Sequence, residues 1–337
     1  MIKAGIVGAT GYGGRELLRL LAAHPHVEVT ALASTTASGE RLDEVLPAFR
    51  KLFDLRFETF DAGALARQCD VVFVGVPGKA SMEPVAALRA AGARVLDIGP
   101  DFRLKNLNDF AQYYKAEHTA AHLLPESVYG LVPWYRDALR DAQLIAVPGC
   151  YPISAILPLR PLLNAPLGDI PVVIDSISGI SGAGRGLSEA FHYPEMNENL
   201  KAYKLGVHQH VPEIEQELLH RVTVQFTPHV APLTRGILTT ITLRPAADFD
   251  PAEYYAPYDA EPFVRVLGPG VLPEVKHVRG SNFCDFGWVM DKRTGNLVIV
   301  SAIDNLVGGT AGMAVQCLNL MFGLDETEGL RLGGMTP

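Results

Sequence analysis

Cysteine is scarce in this chain, and the four present (Cys69, Cys150, Cys284 and Cys317) lie far apart with no Cys-x-x-Cys pair. That spacing excludes a disulfide framework and a zinc knuckle, and it fits a reducing, cytoplasmic setting. Basic residues are outnumbered. With 29 Lys and Arg against 37 Asp and Glu, the formal net charge is −8, which argues against a nucleic-acid partner, since backbone binding needs a basic face. Internal repeats and low-complexity tracts are absent, and the opening MIKAGIVGATGYGG has too short an apolar segment to serve as an export signal. A membrane span is missing too. The uncharged run 142–159 comes nearest, but Pro148, Gly149, Pro152 and Pro158 would leave backbone groups unsatisfied in lipid. It reads instead as a buried strand, a turn and a buried helix.

What remains is a globular chain of 337 residues, 48 % hydrophobic, long enough for two hydrophobic cores. KAGIVGA, HVEVTALAS, DVVFVGV and ARVLDIG read as short buried strands, and GRELLRLLAAHP and ASMEPVAALRAAG read as helices between them. Strand and helix in alternation predict an α/β domain with a parallel sheet. After Cys150 the β-rich runs PVVIDSIS, RVTVQFTPH, GILTTITLRP and NLVIVSAI predict an α+β domain with a substantially antiparallel sheet. The boundary is expected near Gly149. The apolar closing helix GTAGMAVQCLNLMFG is expected to be buried, packing back on the first domain. This gives 1–149 with about 308–337 as one domain and 150–307 as the other. The stretch 103–133 carries no clear pattern.

GATGYGG, with Gly8, Gly11, Gly13 and Gly14, stands between the first strand and the first helix. Glycines there let backbone approach a pyrophosphate, whose charge meets the amides of the helix N-terminus. Thr10 and Tyr12 fall in the same turn. The end of the second strand reads ALASTTASGER; Glu28 sits at the wrong end of that strand to take both ribose hydroxyls, and Ser34, Thr35, Ser38 and Arg41 are available to a 2′-phosphate instead. The expected cofactor is therefore NADP(H).

In AVPGCYPISAIL, Cys150 falls between a strand and a helix, at the expected cofactor cleft. The amides and dipole of a helix N-terminus favour a thiolate. A thiolate beside a nicotinamide suggests covalent acyl chemistry coupled to hydride transfer. Such a nucleophile needs an acid or base, and HQHVPEIEQEL supplies His208 and His210, which face one side if extended. Pro212 suits the first helical position, and Glu213 could orient a histidine or complement the helix dipole. Spacing does not choose between the two histidines. No third ligand follows at a metal-binding interval, so no metal is expected. Cys69 and Cys317 read as structural, and Cys284 leans the same way.

Taken in order, GATGYGGREL, DIGPDFRL, PGCYP, SGISGAGR, HQHVPEIEQEL, FTPHVAPLTRGIL, RGSNFCD and AIDNLVGGTAGMAVQCLNLMFGLDETEGL resemble the N-acetyl-gamma-glutamyl-phosphate reductases over essentially the whole chain. The resemblance implies a Rossmann dinucleotide-binding domain and an α+β catalytic domain like that of glyceraldehyde-3-phosphate dehydrogenase. It also implies a homotetramer or homodimer acting in arginine biosynthesis. The implied reaction reduces N-acetyl-γ-glutamyl phosphate with NADPH through a Cys150 thioester and releases inorganic phosphate. Asn305 joins the expected cofactor contacts. The anionic substrate needs cationic and amide donors, for which Arg103, Ser181, Gly182, Gly184 and Arg185 are the candidates. An aspartate-semialdehyde dehydrogenase, or the related reductase of carrier-bound lysine biosynthesis, is the alternative.

Overall fold

The apolar run at the chain start forms β1 (Ile2–Val7), flanked in a seven-stranded sheet by β2 (Val27–Ala33) on one side and β4 (Val71–Val74) on the other. With β3 (Phe57–Glu58), β5 (Arg94–Asp97), β6 (Ser127–Tyr129) and β7 (Leu144–Ala146), the order is β3-β2-β1-β4-β5-β7-β6. Every pairing is parallel. All four residues of β4 are buried, as befits a strand covered on both faces. Strand order reverses between β1 and β4, and the crevice beyond their carboxyl ends is where such sheets bind ligands.

The computed structural model describes residues 1–336. It separates into two units, one of 1–148 with 310–331, the other of 149–309 with the tail from 332. Helix Gly312–Met321 is buried along its whole length in the first unit. There His24 Nε2 lies 2.9 Å from Asn319 Oδ1, and Cys317 Sγ donates to the Gly130 carbonyl (3.2 Å). The tail departs from the expected boundary. The Met335 amide donates to the Arg279 carbonyl and Arg279 Nη2 donates back to the Met335 carbonyl (3.0 Å), so the residues from 332 fold with the second unit. The unassigned 103–133 holds helix Leu107–Tyr114, capped by Asn106, and the short β6. Phe110 is the only buried residue of that helix, too little for a periodic signal.

The second unit is built on β8 (Val172–Gly179), β9 (Lys201–Ala202), β10 (Val224–Ala231), β11 (Ile237–Leu243), β12 (Val264–Pro269), β13 (Cys284–Asp291) and β14 (Asn296–Ile303). Their order is β12-β13-β14-β11-β8-β10-β9. β12 with β13 and β8 with β10 are parallel, and the remaining neighbours are antiparallel. Burial alternates along β8, β11 and β14, leaving one face covered. Helix Cys150–Leu159 packs on β11 and β14 with every residue after Cys150 buried.

Two prolines cost that helix donors. Pro158 cannot bond back to the Ser154 carbonyl, nor Pro161 to that of Leu157. The Ser301 hydroxyl donates to the first at 2.6 Å and the Tyr258 hydroxyl to the second at 2.6 Å. An unsatisfied buried carbonyl would cost about 1–3 kcal/mol, so these hydroxyls offset the prolines and fix the helix on the sheet. Among the described residues no helix is long and apolar enough to cross a membrane.

Candidate active site

Cys150 is the first residue of helix Cys150–Leu159, following Gly149, whose extended backbone (φ −71°, ψ 151°) forms the N-cap. The Gly149 amide donates to Glu213 Oε1 at 2.8 Å, and Glu213 is fully buried. Glu213 therefore fixes the turn that presents the cysteine. Cys150 is partly exposed, whereas Cys69, Cys284 and Cys317 are buried. Desolvation pushes those three thiols above their ordinary values. Gly309 lies against Cys150: a Cβ there would fall 2.8 Å from Cys150 Cβ and 3.3 Å from the Asp304 carbonyl.

Helix His210–Glu217 begins at His210, not at the expected Pro212, which is its third residue. Gln209 is helical rather than extended (φ −63°, ψ −14°), yet the rings of His208 and His210 meet at 4.8 Å. Their surroundings differ. The His208 ring is packed edge-on against Tyr151 (5.7 Å), Tyr203 (5.5 Å) and Phe226 (5.2 Å). Burial, with the charge of Lys204, pushes its imidazole down to about 3. Its Nδ1 accepts the His210 amide N–H at 3.1 Å, which leaves the single proton of the neutral ring on Nε2. The Tyr203 hydroxyl donates to Tyr151 Oη (3.1 Å), and the Tyr151 hydroxyl donates to the His229 carbonyl (3.1 Å). Burial raises both phenols, so they remain neutral donors.

In the first unit the glycine turn follows β1 directly. Gly8 has φ +90°, and a Cβ there would lie 2.3 Å from the Gly75 carbonyl; one on Gly14 would lie 2.6 Å from Ala9 Cα. Helix Tyr12–Leu21 starts from Gly11 with no side-chain cap and no acid in its first turn. That turn leaves its amides and positive dipole end to an anion, and fits a dinucleotide. Beyond β2, Ser34 is buried and its Oγ accepts the amides of Thr36 and Ala37 (3.2 Å each), shaping the loop. Thr35 and Ser38 are exposed, and Ser38 Oγ lies 2.9 Å from Thr59 Oγ1. Arg41, expected to be available to a phosphate, pairs with Asp43 (3.0 Å) and Asp54 (3.2 Å).

Comparison with known proteins agrees with this arrangement. Residues 3–142 match the family model described as "Semialdehyde dehydrogenase, NAD binding domain", and 150–305 match "Semialdehyde dehydrogenase, dimerisation domain". The N-acetyl-gamma-glutamyl-phosphate reductase of Desulforudis audaxviator (strain MP104C) is 49 % identical over 100 % of both chains. That of Pelotomaculum thermopropionicum is 46 % identical over 100 % of this chain and 99 % of its own. The chain belongs to the N-acetyl-gamma-glutamyl-phosphate reductase family. In fold it is similar to aspartate semialdehyde dehydrogenase II of Vibrio cholerae in complex with ASA (TM-score 0.73, 17 % identity, 96 % of this chain and 98 % of that one). The Candida albicans aspartate semialdehyde dehydrogenase with NADP is equally close (TM-score 0.72, 18 % identity, again 96 % and 98 %).

Within this reductase framework, two expected contact residues also hold backbone. Arg103 is buried, and its Nε and Nη2 donate to the carbonyls of Val147 (2.7 Å) and Ile98 (2.9 Å). These two bonds brace the ends of β5 and β7. Asn305, expected at the cofactor, accepts the Gly236 amide (2.7 Å) and donates to Ser181 Oγ (3.0 Å), pinning one loop of the second unit to another. Ser181 and Gly182 lie in the 3-10 turn Ile180–Ala183, and Gly184 (φ +79°) precedes the exposed Arg185. The aromatic packing around His208 and the contact at Gly309 carried no sequence signal, because their partners come from distant segments. FTPHVAPLTRGIL did offer one: an arginine in a turn flanked by proline and glycine.

Proposed function

We propose that this chain reduces N-acetyl-γ-glutamyl phosphate to N-acetyl-L-glutamate 5-semialdehyde with NADPH, the step arginine biosynthesis requires, through a thioester on Cys150. The observation that carries the reading is a partly exposed thiol at the first position of a buried helix, with its N-cap amide tied to Glu213 and the rings of His208 and His210 packed on the adjoining Tyr151. The helix dipole favours the thiolate, which attacks the acyl carbon; the carbonyl electrons move onto oxygen, return, and expel inorganic phosphate. When bound, NADPH supplies the hydride that reduces the thioester to the aldehyde level. Gly8, Thr10, Gly11, Tyr12, Gly13 and Gly14 would hold its pyrophosphate, with Thr35 and Ser38 at the 2′-phosphate.

His210 is the acid and base of this reading. His208, whose ring refuses a proton until about pH 3, instead orients His210 through the amide bond to its Nδ1. Ser181, Gly182, Gly184 and Arg185 form the substrate-side loop. The half-exposed residues Val173, Ile177, Leu238, Val298 and Val300 share the open face of the second sheet, which supports a homo-oligomer assembled by covering that face.

The test is phosphate-dependent NADP reduction with N-acetylglutamate semialdehyde, aspartate semialdehyde and a carrier-linked semialdehyde. The first is expected to react at least about tenfold faster at limiting concentration. Preference for either of the others would replace the substrate assignment. Loss of turnover with retained NADPH binding is expected for Cys150→Ser, and near-normal turnover would remove the covalent route.

A further inference from the structure

The acyl substrate of this reading carries an α-carboxylate as well as the reacting phosphate, so it calls for a second cation besides the one that meets the phosphate. One end of the second unit's sheet gathers the candidates. The carboxyl ends of β8, β10 and β14 and the amino end of β11 lie together there by register: Ile237 pairs with both Ser178 and Ile303, and Ala231 with Gly179. Cys150 belongs to the same end, because Gly309 would touch both Cys150 Cβ and Ile303 Cδ1 through an added Cβ. Arg235 stands two residues before β11 there, and Asp304 immediately follows β14.

Asp304 is fully buried and heavily bonded. Its Oδ1 accepts the amides of Leu306 (2.8 Å) and Val307 (3.1 Å), and its Oδ2 accepts the Gly280 amide (2.6 Å) and Arg235 Nη1 (3.4 Å). The Asp304 carbonyl accepts the Gly309 amide at 2.8 Å, so one residue orients the turn against Cys150 and the guanidinium. The Arg235 side chain keeps 22 % of its surface exposed while its partner keeps none. The backbone around it also belongs to the substrate-side loop: the Ser181 amide donates to the Thr234 carbonyl (3.2 Å), and Asn305 joins Gly236 to Ser181.

We propose that Arg235, held in place by Asp304, binds the α-carboxylate of the acyl substrate and sets the reach from that carboxylate to Cys150. The assignment rests on Cys150 being the nucleophile of the reaction above. A guanidinium with a fixed carboxylate behind it is oriented before the ligand arrives, which favours a planar carboxylate over a point anion.

Two measurements test it. Cys150 is alkylated with anionic iodoacetate and with neutral iodoacetamide in the wild type, Arg235→Met and Arg235→Lys. The iodoacetate-to-iodoacetamide rate ratio is expected to fall roughly tenfold in Arg235→Met and to be largely restored in Arg235→Lys. This readout holds whichever acyl substrate the enzyme uses, so it separates failure of the present inference from failure of the substrate assignment. In the reverse reaction Arg235→Met is expected to raise KM for N-acetylglutamate semialdehyde about 10- to 100-fold, with KM for phosphate and NADP unchanged. The α-methyl ester of that semialdehyde should be a poor substrate for the wild type and no worse for the variant. An unchanged alkylation ratio, a rise confined to KM for phosphate, or equal loss with acid and ester would each overturn the assignment. Thermal unfolding of both variants within a few degrees of wild type excludes misfolding as the cause.

Discussion

In the parallel sheet of the first unit the glycine turn proposed for the cofactor is made of backbone: Gly8 and Gly14 have no room for a Cβ, and helix Tyr12–Leu21 opens without a side-chain cap. In the second unit the candidate site is made of side chains, with Cys150, His210, Glu213, Arg235 and Asp304 drawn from four segments. The two sites therefore fail in opposite ways. Adding an atom breaks the first, and removing one breaks the second.

The sharpest test of that contrast is the pair of histidines. His210→Asn should lower kcat by about 10²–10⁴-fold, the usual share of general acid–base catalysis. His208→Asn keeps an acceptor for the His210 amide and should cost less than about tenfold. Equal losses in steady-state assays would place both rings in the proton transfer. Next in size, Gly14→Ala should weaken NADPH binding by tenfold or more, read by cofactor fluorescence, while iodoacetamide still labels Cys150 at the wild-type rate. Loss of labelling with loss of binding would mean the two sites are not separable.

Stability against pH should also split the units. Ser81 Oγ lies 3.1 Å from Asp97 Oδ2 and 2.9 Å from Asp101 Oδ2. Burial, with the Asp101 charge, raises the Asp97 carboxyl to about 7. The unfolded chain releases that proton near the ordinary 3.8, so the first unit loses stability as pH rises from about 4 to 7. For His208 the unfolded ring binds a proton near 6.5 that the folded ring refuses until about 3, so the second unit loses stability as pH falls through that window. Each difference amounts to on the order of 4 kcal/mol. Hydrogen exchange followed by mass spectrometry at pH 5 and 7, corrected for intrinsic rates, should show opposite trends in the two units. Asp97→Asn should flatten the first and His208→Asn the second; parallel trends would discard both assignments. The smallest effect is expected from Arg41→Ala: with its guanidinium paired to Asp43 and Asp54, KM for NADPH should move by less than about threefold.

The same contrast governs how much the sequence discloses. The glycine turn, the α/β alternation and the cysteine at a helix start are local patterns, so they are legible one segment at a time. The division of labour between His208 and His210 is not, because it depends on Tyr151, Tyr203 and Phe226 closing around one ring only. Arg103 and Asn305 sit in motifs that resemble binding loops, but a string of letters does not say whether a guanidinium turns outward or spends itself on carbonyls. Asp304 is hidden for the same reason: its role comes from four donors contributed by three places in the chain. Strands as short as β3 and β9 hold too few residues to show any period.

The central claim is that the acyl group passes through the Cys150 sulfur. It is tested most directly by mixing the enzyme with N-acetylglutamate semialdehyde and NADP in phosphate-free buffer, quenching in acid and mapping peptides by mass spectrometry. The account predicts a burst of one NADPH per active site, with an N-acetylglutamyl adduct on the peptide containing Cys150. A burst without that adduct, or an adduct on any other residue, would contradict it.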